Sequence, residues 1–455
     1  MNKWAFVISS RFDLNFIILS ASSYVTRVAA ASDTLVAQVL PKGSGLPPTP
    51  TAADLAPTED VQITQEIKDL AADLGNDPVK IYEYVRNTID FEPTWGSIKG
   101  SVLTLWERSE NAFDTASLLI ALFRAANIPA RYVIGTIQLP AAQAQNWVGG
   151  VNSPQLAATV LASGGVPASY NATHVTLEHV WIEAYVPFAH YRGVPLGQSG
   201  KTWIPLDASF KQFDYQVPTN ISKLVPFDRA AYLSAPPSAL SPVDAYWIQL
   251  GDYLQASDPG KTPDDFKRTR SIRPQTLGLL PASLPARVLA LAGEGVEVPR
   301  TYRHSVQIEI ADLMGTGLTF KSSLVSVLGK RLTLSYTPAG PADTALISDY
   351  GALWNVPPYL LRLRPVVMVD GTVVASGTEI GAGQTQIVAV TLTQPQGISD
   401  TVQHDVLVGG YYALGLGPKG GVERLLDARF DEFRTPSPGT IPIPTTIPSW
   451  ANSCT

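Results

Sequence analysis

Around position 112 the hydrophobic pattern becomes continuous: Phe113, Ala116, Leu118, Leu119, Ile120, Leu122, Phe123, Ala125 and Ala126 cover nearly every azimuth of a helix. A helix that is apolar all round belongs inside a core. Asn111 stands where a cap is needed, and Asp114, three residues on, imitates the acidic member of a capping box. Asn127 and Pro129 end the helix. Upstream, Asp77 and Pro78 form an N-cap and N1 pair, followed by Ile81, Tyr84, Val85, Thr88 and Ile89 at helical spacing. Downstream, residues 130–139 read as a strand, and residues 141–145 and 154–162 as short helices, the second stopped by Gly164-Gly165. Residues 177–186 then alternate, with His179, Trp181, Glu183 and Tyr185 on one face and Val180, Ile182, Ala184 and Val186 on the other. A further strand over 202–207 completes an α+β core.

Residues 41–58 are a Pro/Gly/Thr-rich stretch that reads as an extended linker. Residues 236–300 read as helical and Pro-punctuated, with starts at Ser241-Pro242 and Thr262-Pro263. From Arg303 the period becomes two: Val306, Ile308 and Ile310 alternate with polar residues, and Leu332, Leu334 and Tyr336 repeat the pattern. Asp370-Gly371 between two strand-like runs predicts a type I′ hairpin, and one helix is expected over 341–350. The chain therefore divides into an export signal (1–31), a Pro-rich linker (32–60), an α+β domain (61–235), a helical connector (236–300), a β-rich, sandwich-like domain (301–434) and a flexible Pro-rich tail (435–455).

The export signal rests on Lys3 and Arg11, an apolar run over 16–25 and Ala29-Ala30-Ala31, and it predicts a secreted or surface location. That run is shorter than the ~20 residues a bilayer requires, and no other stretch qualifies, so no membrane span is expected. A net charge of -6 and the lack of a basic block interleaved with aromatics argue against nucleic acid. Lys267, Arg268, Arg270 and Arg273 cluster, which reads as a solvated helix end. The single cysteine, Cys454, rules out an intrachain disulfide and a cysteine-based zinc site. The five histidines show no i, i+4 pairing, so no metal site is predicted.

Asn111, Asp114, Ala116, Leu118-Leu119, Leu122, Arg124, Ala125-Ala126 and the run from Ile128 to Val133 precede His179-Val180-Trp181 and the run from Trp203 to Asp207. In that order they resemble the transglutaminase-like superfamily, which has a papain-like fold, over roughly residues 75–215. The resemblance implies a Cys-His-Asp triad on Ala112, His179 and Asp207, and here the nucleophile position carries a methyl group. Losing the nucleophile of a triad costs on the order of 10⁶ in turnover, so acyl transfer through a thioester is not expected. Glu110 stands where the family pattern has glycine.

Among substitutes, Ser109 precedes the cap and Ser117 points about 140° away from Ala112. Thr115 lies one turn along the same face and is the best of the three. His179 and Asp207 have two readings: a strand-holding or ligand-binding pair, which we favour, or an acid/base pair driving water or a hydroxyl. Glu178 and Glu183 would flank such a cleft or lie as plain surface carboxylates. Trp95, Trp106, Trp147, Trp181 and Trp203 offer area for a peptide groove, with core packing as the alternative; Trp181 and Trp203 fit a cleft floor or core.

Gly415 to Gly420 spell G-x-G-x-x-G, but no acidic strand follows, and no cofactor is expected. The function expected is that of a pseudoenzyme with a protein, peptide or glycan ligand. The resemblance also suggests a large surface protein of the RHS repeat type as partner. The alternative is an active hydrolase, amidase or peptidase using His179 and Asp207.

Overall fold

A computed structural model of the chain describes residues 49–187, 200–216, 223, 225–234, 241–261, 269–312 and 315–417, with the backbone alone of residues 5–10 and 13–20. At the N-terminus β1 (Ala5–Ser10) and β2 (Asp13–Ser20) pair as an antiparallel hairpin. The expected export signal falls partly on these strands and partly outside the described residues.

The first domain begins with α1 (Gln65–Asp73), α2 (Pro78–Thr88), β3 (Asp90–Phe91), α3 (Gly100–Glu107), β4 (Ser109–Glu110) and α4 (Ala112–Ala125). It continues with β5 (Ala130–Pro140), α5 (Ala141–Trp147), α6 (Pro154–Ser163), β6 (Ala168–Tyr170), β7 (His174–Pro187), β8 (Lys201–Leu206) and β9 (Phe213–Gln216). Then come α7 (Arg229–Ser234), α8 (Pro242–Ser257), β10 (Thr269–Ile272) and β11 (Arg287–Gly295).

Caps act where the sequence placed them. The Asp77 carboxylate accepts the Val79 N–H at 2.8 Å, and Ser241 Oγ accepts that of Asp244 at 3.1 Å. Every residue of α4 from Ala112 to Arg124 is buried, as its all-round apolar pattern requires. The sheet runs β11-β5-β7-β6, with β8 also on β7. β5 and β7 match Tyr132 to Ile182 and Ile134 to Val180, and the Tyr132 hydroxyl lies 2.8 Å from Ser117 Oγ of α4. The opposite face carries Gly135 paired with His179.

Three expectations change. Residues 236–300 are not uniformly helical: α8 is present, but β10 pairs with β9 and β11 joins the first domain's sheet beside β5. The Val288 to Leu291 run has strand character that the surrounding prolines hid. Arg270 lies on β10 and ion-pairs with Asp90, and Arg273 pairs with Asp214, so these cations are not a solvated helix end. Lys267, Arg268 and the Thr262-Pro263 start lie outside the described residues. The expected linker also ends early, because residues 52–55 form a short 3-10 helix and Asp54 and Asp60 are buried.

The second domain comprises β12 (Ser305–Asp312), β13 (Gly315–Ser323), β14 (Leu332–Pro338), α9 (Pro341–Asp349), β15 (Arg362–Val369) and β16 (Thr372–Ser376). It ends with β17 (Ile380–Gly381), β18 (Thr385–Thr393), β19 (Ser399–Leu407) and β20 (Tyr412–Gly417). One sheet runs β13-β12-β18-β19, the other β16-β15-β14-β20-β1-β2 with β17 on β15. A single apolar cluster, including Ile308, Leu334, Val367 and Val388, fills the space they share. At the β15–β16 turn Asp370 and Gly371 have φ of 50° and 82°, the two positive angles a type I′ turn needs.

The domains meet at Ser97 and Arg303. Ser97 N donates to Tyr302 O at 2.8 Å and His304 N to Ser97 O at 3.0 Å. Arg303 Nη2 donates to Asp60 Oδ2 at 2.6 Å, and Glu59 accepts the hydroxyls of Ser323 and Ser326.

Candidate functional site

Two elements converge on the start of α4. Arg108 ends α3 in the left-handed region (φ 54°), which turns the chain into β4, parallel to β3 with Phe91 opposite Glu110. Asn111 then caps α4: its Oδ1 accepts the Asp114 N–H at 3.0 Å, and its Nδ2 donates to Gly96 O at 3.1 Å. The Asp114 carboxylate gathers the backbone N–H groups of Ile98, Lys99 and Gly100 at 2.8–3.3 Å. Burial pushes its pKa up against these donors.

Ala112 is the first residue of the helix and only 7% exposed. A helix start favours a thiolate there, but the side chain has nothing to ionise. Beside it the Glu110 carboxyl, buried and ion-paired with Lys99, is raised by desolvation to about 8.

His179 on β7 and Asp207, just beyond β8, are both buried, with Nε2 2.9 Å from Asp207 Oδ2. The other oxygen, Oδ1, accepts Ser209 N at 2.9 Å, Ser209 Oγ at 2.7 Å and Phe210 N at 3.2 Å. Burial raises the Asp207 carboxyl, but the ring and these donors outweigh it and leave the pKa below its usual value. An ionised Asp207 fixes the tautomer with the proton on Nε2, which makes Nδ1 the basic nitrogen. Nδ1 has no hydrogen-bond partner among the described residues.

Aromatic rings connect this pair to the start of α4. Phe91, opposite Glu110, stacks on Trp147 at 4.2 Å, and Trp147 meets the His179 ring edge-on at 5.6 Å. Phe210 packs on Trp147 at 5.2 Å, and Trp147 Nε1 donates to Ser209 O at 3.0 Å. Thus Trp147 is a wall of the site. Lys211, fully buried with Nζ donating to Ile89 O, has its pKa lowered by desolvation to about 7.

The proposed substitutes separate clearly. Ser109 Oγ donates to Glu92 Oε1 at 2.6 Å and Ser117 Oγ to Phe113 O at 2.9 Å, so both hydroxyls are committed elsewhere. Thr115 Oγ1 is buried without a partner among the described residues, and no bond joins it to His179. The hydroxyl that does approach the ring is Ser209, with Oγ 3.4 Å from Nε2. The sequence reading missed it, although Asp-x-Ser is the signature of an Asx turn.

Trp181 is 3% exposed and packs over Gly135, which makes it core rather than a ligand contact. Trp203 is half-buried under the Arg131 guanidinium, 4.0 Å from its ring centroid. Arg131 also pairs with Glu183 at 2.7 Å, so Glu183 braces the sheet rather than flanking a cleft. Arg124 Nη2 donates to Ala130 O at 2.8 Å and Val296 O at 2.7 Å, tying the end of α4 to β5. Among the described residues no group of His, Cys, Asp and Glu side chains is placed to hold a metal ion, and no helix is long and apolar enough to cross a membrane.

Residues 61–208 match the family model of the transglutaminase-like superfamily. No curated protein matches the chain. Among solved structures it is similar to a "Putative Cysteine Protease" from Cytophaga hutchinsonii, at 22% identity over 35% of this chain and 41% of that one, with a TM-score of 0.21. It is also similar to red sea bream transglutaminase, at 12% identity over 76% of this chain and 58% of that one, with a TM-score of 0.19. The chain spans less than two thirds of either structure. With the capped α4, the His179–Asp207 pair and the order of their strands, the family match identifies residues 61–208 as a transglutaminase-like superfamily domain.

Proposed function

We propose that this domain is a pseudoenzyme, which keeps the scaffold of a thiol acyl transferase and uses it to bind a protein or peptide at the cell surface or outside the cell. One observation carries the reading: the first position of α4, under the Asn111 cap, holds the methyl of Ala112. The basic Nδ1 of His179 is left without a thiol to deprotonate. The rings of Phe91, Trp147 and Phe210 fill the surroundings, so the pair braces a core. A glycan ligand remains within this reading, and a large surface repeat protein is the partner class it favours.

The test compares wild type with Ala112→Cys on a glutamine peptide and a primary amine. Wild type gives no product. The variant gains turnover that disappears when His179→Ala is added. Turnover by wild type that depends on His179 overturns the proposal.

Ser209 favours a second reading, a hydrolase with a hydroxyl nucleophile. Against it, the Ser209 proton is held by Asp207 Oδ1 at 2.7 Å, and the same Asp207 already engages Nε2. That geometry makes Ser209 an anchor for the carboxylate. Ser209→Ala separates the two, since a hydrolase loses its turnover and a scaffold loses only stability. The secreted location is tested by sequencing the N-terminus of protein recovered from the culture medium.

A further inference from the structure

Lys211 continues the turn that carries Asp207, and its side chain is fully buried. Nζ donates to one acceptor, Ile89 O at the end of α2, and makes no ion pair among the described residues. The charged groups facing it are Arg86 of α2, Asp207, Asp90 of β3 and Arg270 of β10. Tyr82 of α2 also faces the turn, its hydroxyl donating to Asp207 O at 3.0 Å. Both carboxylates are already engaged: Asp90 meets Arg270 at 2.9 Å, and Asp207 meets His179 at 2.9 Å. The amine therefore lies with two guanidinium groups and no carboxylate of its own.

Protonation changes what this position requires. An ammonium has three N–H donors, so a proton leaves two of them, and a charge cut off from water, without an answering group. Burial first, and Arg86 second, lower the pKa from 10.5 to about 7, while Asp207 and Asp90 oppose them. The end of α2 favours a cation as well. Of the two carboxylates Asp207 is the one within the same turn and buried as Lys211 is, whereas Asp90 is 37% exposed and held by Arg270.

We propose that Lys211 is a proton switch on the candidate site: as a neutral amine it leaves Asp207 to His179, and on taking a proton from solvent it draws on that carboxylate and loosens the His179–Asp207 pair. The switch acts on the pair itself, whether the site binds a ligand or reacts with one. Trp147 reports it, because its Nε1 donates to Ser209 O at 3.0 Å and its ring meets both Phe210 and His179.

A pH titration of the full chain by NMR, with isotope-labelled lysine and tryptophan, tests this. One lysine is expected to titrate near 7 rather than near 10.5, with the Trp147 indole N–H moving at the same midpoint. Lys211→Met removes both the lysine signal and the Trp147 step. Arg86→Gln leaves Lys211 in place and serves if the methionine variant does not fold: with one neighbouring cation gone, both midpoints rise by about half a pH unit or more. The proposal is overturned if Lys211 titrates near 10.5 or if the Trp147 signal does not follow the lysine. A Trp147 step that survives Lys211→Met belongs to His179 and overturns it too.

Discussion

Asn111 and Asp114 hold each other across the first turn of α4, Asn111 Oδ1 accepting the Asp114 N–H at 3.0 Å and Asn111 Nδ2 donating to Asp114 Oδ2 at 3.2 Å. The same carboxylate organises the turn from Ser97 to Gly100, so helix start and inter-domain turn share one acceptor. Asp114→Ala leaves several buried N–H groups without a partner. It is expected to cost about 3 kcal/mol or more, read as a lowered denaturant midpoint. A midpoint close to wild type refutes the shared-acceptor account.

His304 predicts an acid limb. Its Nε2 lies 2.9 Å from Trp95 O, and burial pushes its pKa from 6.5 down to about 4. Above pH 6.5 the ring is neutral in folded and unfolded chains, and its contribution is fully present. As pH falls toward 4 the unfolded chain takes up a proton that the native chain refuses, and about 3 kcal/mol of stability is lost. His304→Gln keeps a donor for Trp95 O and should flatten the stability profile between those pH values.

Arg303 joins the two cores. Its guanidinium meets Asp60, which is wholly buried, at 2.6 Å and Glu59 at 2.7 Å. Arg303→Met strands the Asp60 charge and should cost about 3–5 kcal/mol, with separate melting of the two domains in calorimetry. A single unchanged transition argues against this role.

Gly164 ends α6 with an ordinary φ of -89°, so conformational freedom is not its purpose. A Cβ there would lie 1.6 Å from Pro93 O, beside the turn where Trp95 N donates to Gly164 O at 3.0 Å. Gly164→Ala must move backbone, at a cost of about 2 kcal/mol or more. Thermal melting measures it, and a wild-type Tm would show that the approach relaxes freely.

Much of the first domain was legible because its signals are local. Asp77, Asn111 and Ser241 cap helices through side chains a few residues away, and the alternation around His179 needs only the strand's own pleat. The features missed are set by distant partners. Residues 287–295 become a strand because β5 offers an edge, and Asp54 and Asp60 are drawn into the fold by contacts far along the chain. Trp181 shares a face with His179, yet Gly135, diagonal to it on β5, leaves room for the indole to sink into the core. Ser209 was readable as part of an Asx turn, but its distance from the ring depends on how β8 meets β7.

Since Asp114 and Arg124 knit the helix to its neighbours whatever residue occupies position 112, the features that make this scaffold recognisable are also those that keep it folded. Sequence likeness of this kind can outlast the reaction for which the scaffold arose, and only the attacking atom itself reports whether the reaction survives.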